Sequence, residues 1–135
     1  MESTQPAAPA SKTSLWAGRI LSALPVLLMA FAGLFPFLKP AEAAQASAHY
    51  GYPEGAMLRI GIVAMVCAIL YAIPRTSVLG AILLTGYLGG ATATHVRAGE
   101  PFFFPVVVGI VVWLGLYLRD QRLHALIPLR SPRVP

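Results

Sequence analysis

The sequence predicts an all-α membrane protein, a four-transmembrane-helix antiparallel bundle with a short surface helix between the first two spans. Three observations lead there. Apolar residues make up 57% of the 135 positions and charged residues 11%, against roughly 25% charged in an average soluble domain, so too few charges exist to solvate a globular surface. Apolar runs at residues 16–38, 54–73, 77–95 and 101–118 each approach the ~20 residues that a helix needs to cross hydrocarbon. The last three runs are joined by connectors so short that neighbouring helices must lie antiparallel and in contact.

Residues 1–14 are rich in Ala, Pro, Ser and Thr without a hydrophobic period, which predicts a flexible cytoplasmic tail. Residues 15–122 form one transmembrane domain, and 123–135 a basic cytoplasmic tail. In the first span Pro25 removes an amide donor and predicts a slight bend, while Trp16 and Arg19 suit the membrane interface. Residues 39–56 turn polar and Ala-rich. Pro40 fits the first turn of a surface helix, Ala41 to Ala48 favour helix without the length to span, and Tyr50 and Tyr52 suit the headgroup zone. Pro53 and Glu54 resemble the start of the second span, in which Arg59 can snorkel. Pro74-Arg75-Thr76 forms a tight turn, with Thr76 or Ser77 capping the third helix. A second turn falls at 96–100, Glu100-Pro101 opens the fourth helix, and Arg119, Asp120 and Arg122 stop it.

Basic residues orient the whole. With the amino terminus inside, Lys12, Arg19, Arg75, Arg119, Arg122, Arg130 and Arg133 are cytoplasmic, while Lys39, Arg59 and Arg97 face out. Such a bias toward the inside supports cytoplasmic placement of both termini, and a multi-pass protein of the cell inner (plasma) membrane is expected. Ala41-Glu42-Ala43 superficially resembles a signal-peptide cleavage site. The apolar stretch before it exceeds the ~7–15 residues of a secretory core, so a retained span is the better reading.

The same composition excludes several chemistries. The formal net charge of +5 is carried by scattered or terminal cations without interleaved stacking aromatics, which argues against nucleic acid. Cys67 is the single cysteine, so neither an intramolecular disulfide nor a thiolate zinc site can form. His49, His95 and His124 are remote from one another, with His124 expected on the opposite membrane side, so no metal site is expected. No phosphate loop, nucleophile elbow or carboxylate pair supports hydrolysis or phosphoryl transfer. The absence of a mid-span acid argues against proton-coupled transport.

The informative stretch is residues 80–95, GAILLTGYLGGATATH. At about 100° per residue, Gly86, Gly89, Gly90 and Ala93 share a face, and Gly86 and Gly90 have the spacing of close helix contact. This stripe predicts a packing surface, a central third helix, and more disruption from Gly90→Leu than from His95→Ala. Tyr87 and Thr94 project about 100° from the stripe and His95 almost opposite it, so they form no compact triad on an ideal helix. A sharper alternative to simple interfacial placement puts His95 and Arg97, with Glu100, around the outer mouth of the bundle. There, with Tyr87 and Thr94 as further candidate contacts, they would meet a polar headgroup or a quinone carbonyl.

In order along residues 18–130, GRILSALPVLLMAFAG, HYGYPEG, LYAIPRTSVLGAILLTGYLGGATATHVRAGEP and WLGLYLRDQRLHALIPLR resemble the DoxX-like family of small integral membrane proteins. The residues matching its motif are Gly86, Tyr87, Gly89, Gly90, Thr94, His95 and Arg97. The resemblance implies a four-helix membrane bundle related to the small subunit of thiosulfate:quinone oxidoreductase and to membrane-associated oxidoreductase complexes. Three roles compete. The first is a subunit of a membrane complex that is not an enzyme on its own, surrounded by lipid and joined to a protein partner or a second copy. The second is a quinone-interacting redox subunit, quinone being the candidate cofactor. The third is a small-molecule carrier.

Overall fold

The structure, a computed structural model, describes residues 11–126. Among them lie five α-helices, one 3-10 helix and no strand: α1 Lys12–Leu38, α2 Pro40–Tyr50, α3 Ala56–Ala72, α4 Ser77–Ala98, α5 Phe103–Arg119 and the 3-10 helix Gln121–Ala125. The expected all-α fold is observed, with α2 as the short helix between the first two apolar ones. By length and composition α1 and α4 can each cross a membrane, while α3 and α5 are apolar helices of 17 residues.

The four long helices form a ring in which α1 and α4 each pack on both α3 and α5. Residue pairs across the seams fix their directions. Gly18 lies on Arg119 and Gly115 on Ser22; Tyr71 bonds Ser22, and Gly33 meets Gly61. Thr85 bonds Trp113, and Leu88 reaches Gly109. In each seam one number rises as the other falls, so neighbours are antiparallel. One end of the ring, the terminal end, therefore holds the starts of α1 and α4 and the ends of α3 and α5. The opposite end carries α2.

Tyr71, Leu84, Val112 and Leu116 fill the ring axis and are fully buried. The Tyr71 hydroxyl donates to the Val112 carbonyl at 2.7 Å and lies 3.1 Å from Ser22 Oγ, which ties three helices together. The outward face is apolar along its length: Ile20, Leu27, Phe31, Val63, Ile82 and Ile110 are all exposed. Water does not tolerate so continuous an apolar coat on a monomer. Hydrocarbon does.

Several boundaries differ from expectation for local reasons. Helix α1 begins at Lys12, inside the tail expected over 1–14, because Ser11 Oγ accepts the Ser14 amide at 3.1 Å. The rest of that tail and most of the one expected over 123–135 lie outside the described residues. Thr76 occupies the N-cap position of α4, but neither its side chain nor that of Ser77 bonds the first amides of that helix. Pro74 ends α3 and leaves its last carbonyls open; Thr76 Oγ1 donates to Leu70 O at 2.7 Å and Ser77 Oγ to Ile73 O at 2.9 Å. Pro53 and Glu54 precede the start of α3, which follows Gly55. Helix α4 continues to Ala98, so Arg97 belongs to its last turn. There Gly99 adopts φ 73°, and the Glu100 amide bonds His95 O at 2.9 Å, the glycine-dependent helix stop. Glu100 and Pro101 precede α5, which starts at Phe103.

Among the described residues the expected packing stripe touches no other helix. A Cβ at Gly86, Gly89 or Gly90 would meet nothing within 4 Å, and Ala93 is exposed. Within the chain, close helix approach occurs at other glycines. A Cβ at Gly80 would stand 2.3 Å from Tyr71 N, one at Gly18 2.8 Å from Arg119 N, and one at Gly33 2.8 Å from Gly61 O. Helix α4 occupies one corner of the ring, not its centre.

Candidate functional site

The space beside Gly86 and Gly90 is a cavity of about 380 Å³ at the α2 end, within the range of ~300–1,000 Å³ of ligand pockets. Its α4 wall carries Gly86, Tyr87, Gly90, Ala91, Thr94 and His95. On a helical wheel these occupy successive positions about 20–40° apart, spanning half the circumference. The wheel separates Tyr87 and Thr94 from His95, yet all three border one cavity because surrounding chain wraps half of α4. Met57 and Ile60 of α3 supply the facing apolar wall, and Tyr50, the last residue of α2, and Tyr52 just beyond it cover the cavity.

The polar groups divide into those already bonded and those open. Thr94 Oγ1 donates to Gly90 O at 2.9 Å, so the Tyr52 hydroxyl must be the donor in its short bond to Thr94 Oγ1. Tyr50 donates to Glu100 Oε2 at 2.9 Å. His95 Nδ1 donates to Ala91 O at 2.7 Å. That bond fixes the tautomer of the neutral ring and leaves Nε2 as an acceptor. The Tyr87 hydroxyl has no hydrogen-bond partner among the described residues, and the half-buried side chain borders the cavity. The cavity therefore offers one unused donor and one unused acceptor on an apolar wall.

Arg97 and Glu100 do not line the cavity. They hold its cover. Arg97 donates to Tyr50 O at 2.6 Å and lies over the Tyr52 ring, 5.4 Å from its centroid. Glu100 Oε1 accepts from His49 Nε2 at 2.7 Å. The bonds from His49 and then Tyr50 hold the Glu100 carboxyl below the usual glutamate range. Glu100 in turn pushes the Tyr50 phenol up, chiefly by accepting its hydrogen bond. Gly89 and Ala93 lie outside the site, whereas Gly86 and Gly90 contribute the absence of a side chain. Sequence reasoning missed His49, Tyr50, Tyr52, Met57 and Ile60. The aromatic pair around Gly51 is the available signal, and by itself it points no further than the headgroup zone. Among the described residues no three potential metal ligands cluster.

A family model described as the DoxX-like family matches residues 20–115. The chain belongs to the DoxX-like family. The matched span of this DoxX-like protein takes in the whole cavity and its cover, from α1 to Gly115 of α5, and is shorter than the resemblance over 18–130. Family membership and the apolar helices together make it a membrane protein. No curated protein and no solved structure matches the chain.

Proposed function

We propose that this DoxX-like protein crosses the inner (plasma) membrane four times with both termini in the cytoplasm. In this reading it serves a membrane complex as a non-catalytic, ligand-holding subunit whose cavity takes a quinone-class ring. The two 17-residue helices reach the lower limit of ~17 residues for a span, and the antiparallel ring returns the chain to its starting side. The observation that carries the ligand reading is the unpartnered Tyr87 hydroxyl sharing an apolar cavity with the open nitrogen of His95. A quinone carries two electrons and two protons between membrane partners. Tyr87 would donate to a ring oxygen, and His95 Nε2 would accept from a ring hydroxyl. Gly86 and Gly90 leave room for the ring, while Met57 and Ile60 cover its face. Carriage lacks comparable support, because Tyr71, Leu84, Val112 and Leu116 fill the axis a solute would follow.

The test is binding of a short-chain benzoquinone to the detergent-purified protein, followed by quenching of intrinsic fluorescence. Tyr87→Phe removes one hydrogen bond and should weaken binding about fivefold, while Gly90→Leu fills the cavity and should abolish it. Equal affinity in wild type and both variants contradicts the reading.

A further inference from the structure

The terminal end concentrates positive charge. Among the described residues it carries Lys12, Arg19, Arg75, Arg119 and Arg122 against Asp120, a net of +4, whereas the α2 end carries Lys39, Arg59 and Arg97 against Glu42, Glu54 and Glu100, a net of zero. Two of these cations are brought together by backbone packing. A Cβ at Gly18 would stand 2.8 Å from Arg119 N and 2.9 Å from Arg119 Cβ, so the residue beside Arg19 lies directly on Arg119. Like charges on adjoining helices repel, and the nearby counter-charge is already engaged. Asp120 accepts from Arg122 through Nε at 3.1 Å, a terminal guanidinium nitrogen at 2.9 Å and the backbone amide at 3.0 Å. Arg122 is the main reason the Asp120 carboxyl lies below its usual range.

The donors of the two neighbouring arginines are largely open. Arg119 gives one N–H to Tyr71 O at 2.9 Å and rests over the Tyr71 ring, and its buried Nε has no acceptor. A guanidinium has five N–H donors. Arg19 lies over the Trp16 ring, 5.6 Å from the centroid, and has no ion pair or hydrogen bond among the described residues. Both arginines border two adjoining cavities. One, of about 280 Å³, also touches Ser77, Asp120 and Arg122. The other, of about 240 Å³, follows Ser22, Ala23 and Val26 along α1 with Ala72 of α3 opposite. The first is a recess with charged side chains at its rim over Leu15, Pro74 and Leu116, and the second a groove along the apolar surface, floored by small side chains. A head and a tail have separate places.

We infer that the recess and groove beside Arg19 and Arg119 form a binding site for one anionic phospholipid. Its phosphate lies against the two guanidiniums and one acyl chain follows α1 past Ala23 and Val26. Arginine forks match phosphate oxygens, and basic recesses between membrane helices on the cytoplasmic side suit anionic headgroups. The site is independent of the quinone-class cavity and rests only on the four crossings, which place the terminal end at the headgroups.

Native mass spectrometry of the full chain in neutral detergent tests this without requiring an orientation in a bilayer. Phosphatidylglycerol, phosphatidylcholine and inorganic phosphate are added separately at equal concentration. Phosphatidylglycerol should be retained in preference to both others, and Arg19→Gln should weaken it about fivefold, the effect of one basic side chain on an anionic lipid. Arg19→Lys should recover part of the loss, and Arg59→Gln, at the other end, none of the effect. Because Arg119 also holds the Tyr71 carbonyl, Arg19 is the position that separates binding from folding. Equal retention of phosphatidylcholine, retention of inorganic phosphate in place of lipid, or equal losses for Arg19→Gln and Arg59→Gln would each overturn the site. Failure of the four-crossing reading shows elsewhere, as a monodisperse protein in buffer without detergent.

Discussion

The seam between α3 and α4 is closed at one end and open at the other. At the terminal end Gly80 lies against the backbone of Tyr71, and at the α2 end Gly86 and Gly90 face a cavity. The same residue type on one helix thus serves contact in one place and vacancy in another. A missing side chain creates space, and only the neighbouring helix decides what occupies it.

The largest expected effect comes from adding one methyl group to each end of that seam. Gly80→Ala forces backbone against backbone and should destabilise by about 3 kcal/mol, the upper range for overpacking without relief. Gly90→Ala meets nothing and should stabilise by roughly 0.5–1 kcal/mol, the helix preference of Ala over Gly. Thermal unfolding in one detergent compares them directly, and a shared sign would remove the distinction between the two ends.

A smaller effect is expected at Tyr71, whose ring and hydroxyl brace the closed end. Tyr71→Phe keeps the ring but removes the bond to Val112 O, and should cost about 1 kcal/mol. Unchanged melting would mean that glycine contacts alone hold that end.

The smallest effect concerns the cover of the open end. Glu100 has a carboxyl pKa depressed in the folded state by His49 and Tyr50, so its contribution is present above the unfolded pKa and disappears as pH falls through the folded one. Protection of the Pro40–Tyr50 amides, relative to their intrinsic exchange rate at each pH, should therefore fall at acidic pH, below the usual glutamate range, while the core of α3 stays protected. Glu100→Gln should show the reduced protection already at neutral pH. Identical profiles for the two proteins would detach Glu100 from the cover.

Particular residues show what could be foreseen. The polar Ala-rich segment beginning at Pro40 specified α2 to within two residues, because local propensity and a left-handed Gly51 decide it without distant help. Tyr87, Thr94 and His95 were marked as unusual inside an apolar helix, and they do border the cavity. Their convergence was hidden, since the wheel of one helix says nothing about chain wrapped around it. Arg97 and Glu100 were placed at the mouth for contact with a ligand, but they bond Tyr50 and His49, some 50 residues earlier. The stripe of Gly86, Gly89 and Gly90 records only where a backbone can be approached, and among the described residues no second helix does so.

By itself the sequence determined the solvent, the helical class and the sites of the turns, since composition, run length and proline or glycine placement act within a few residues of themselves. Only the tertiary structure decided which glycines touch, that the Tyr87 hydroxyl borders a cavity without a hydrogen bond among the described residues, and which arginines stand together. Those outcomes depend on distances between helices far apart in the chain, which no local pattern encodes.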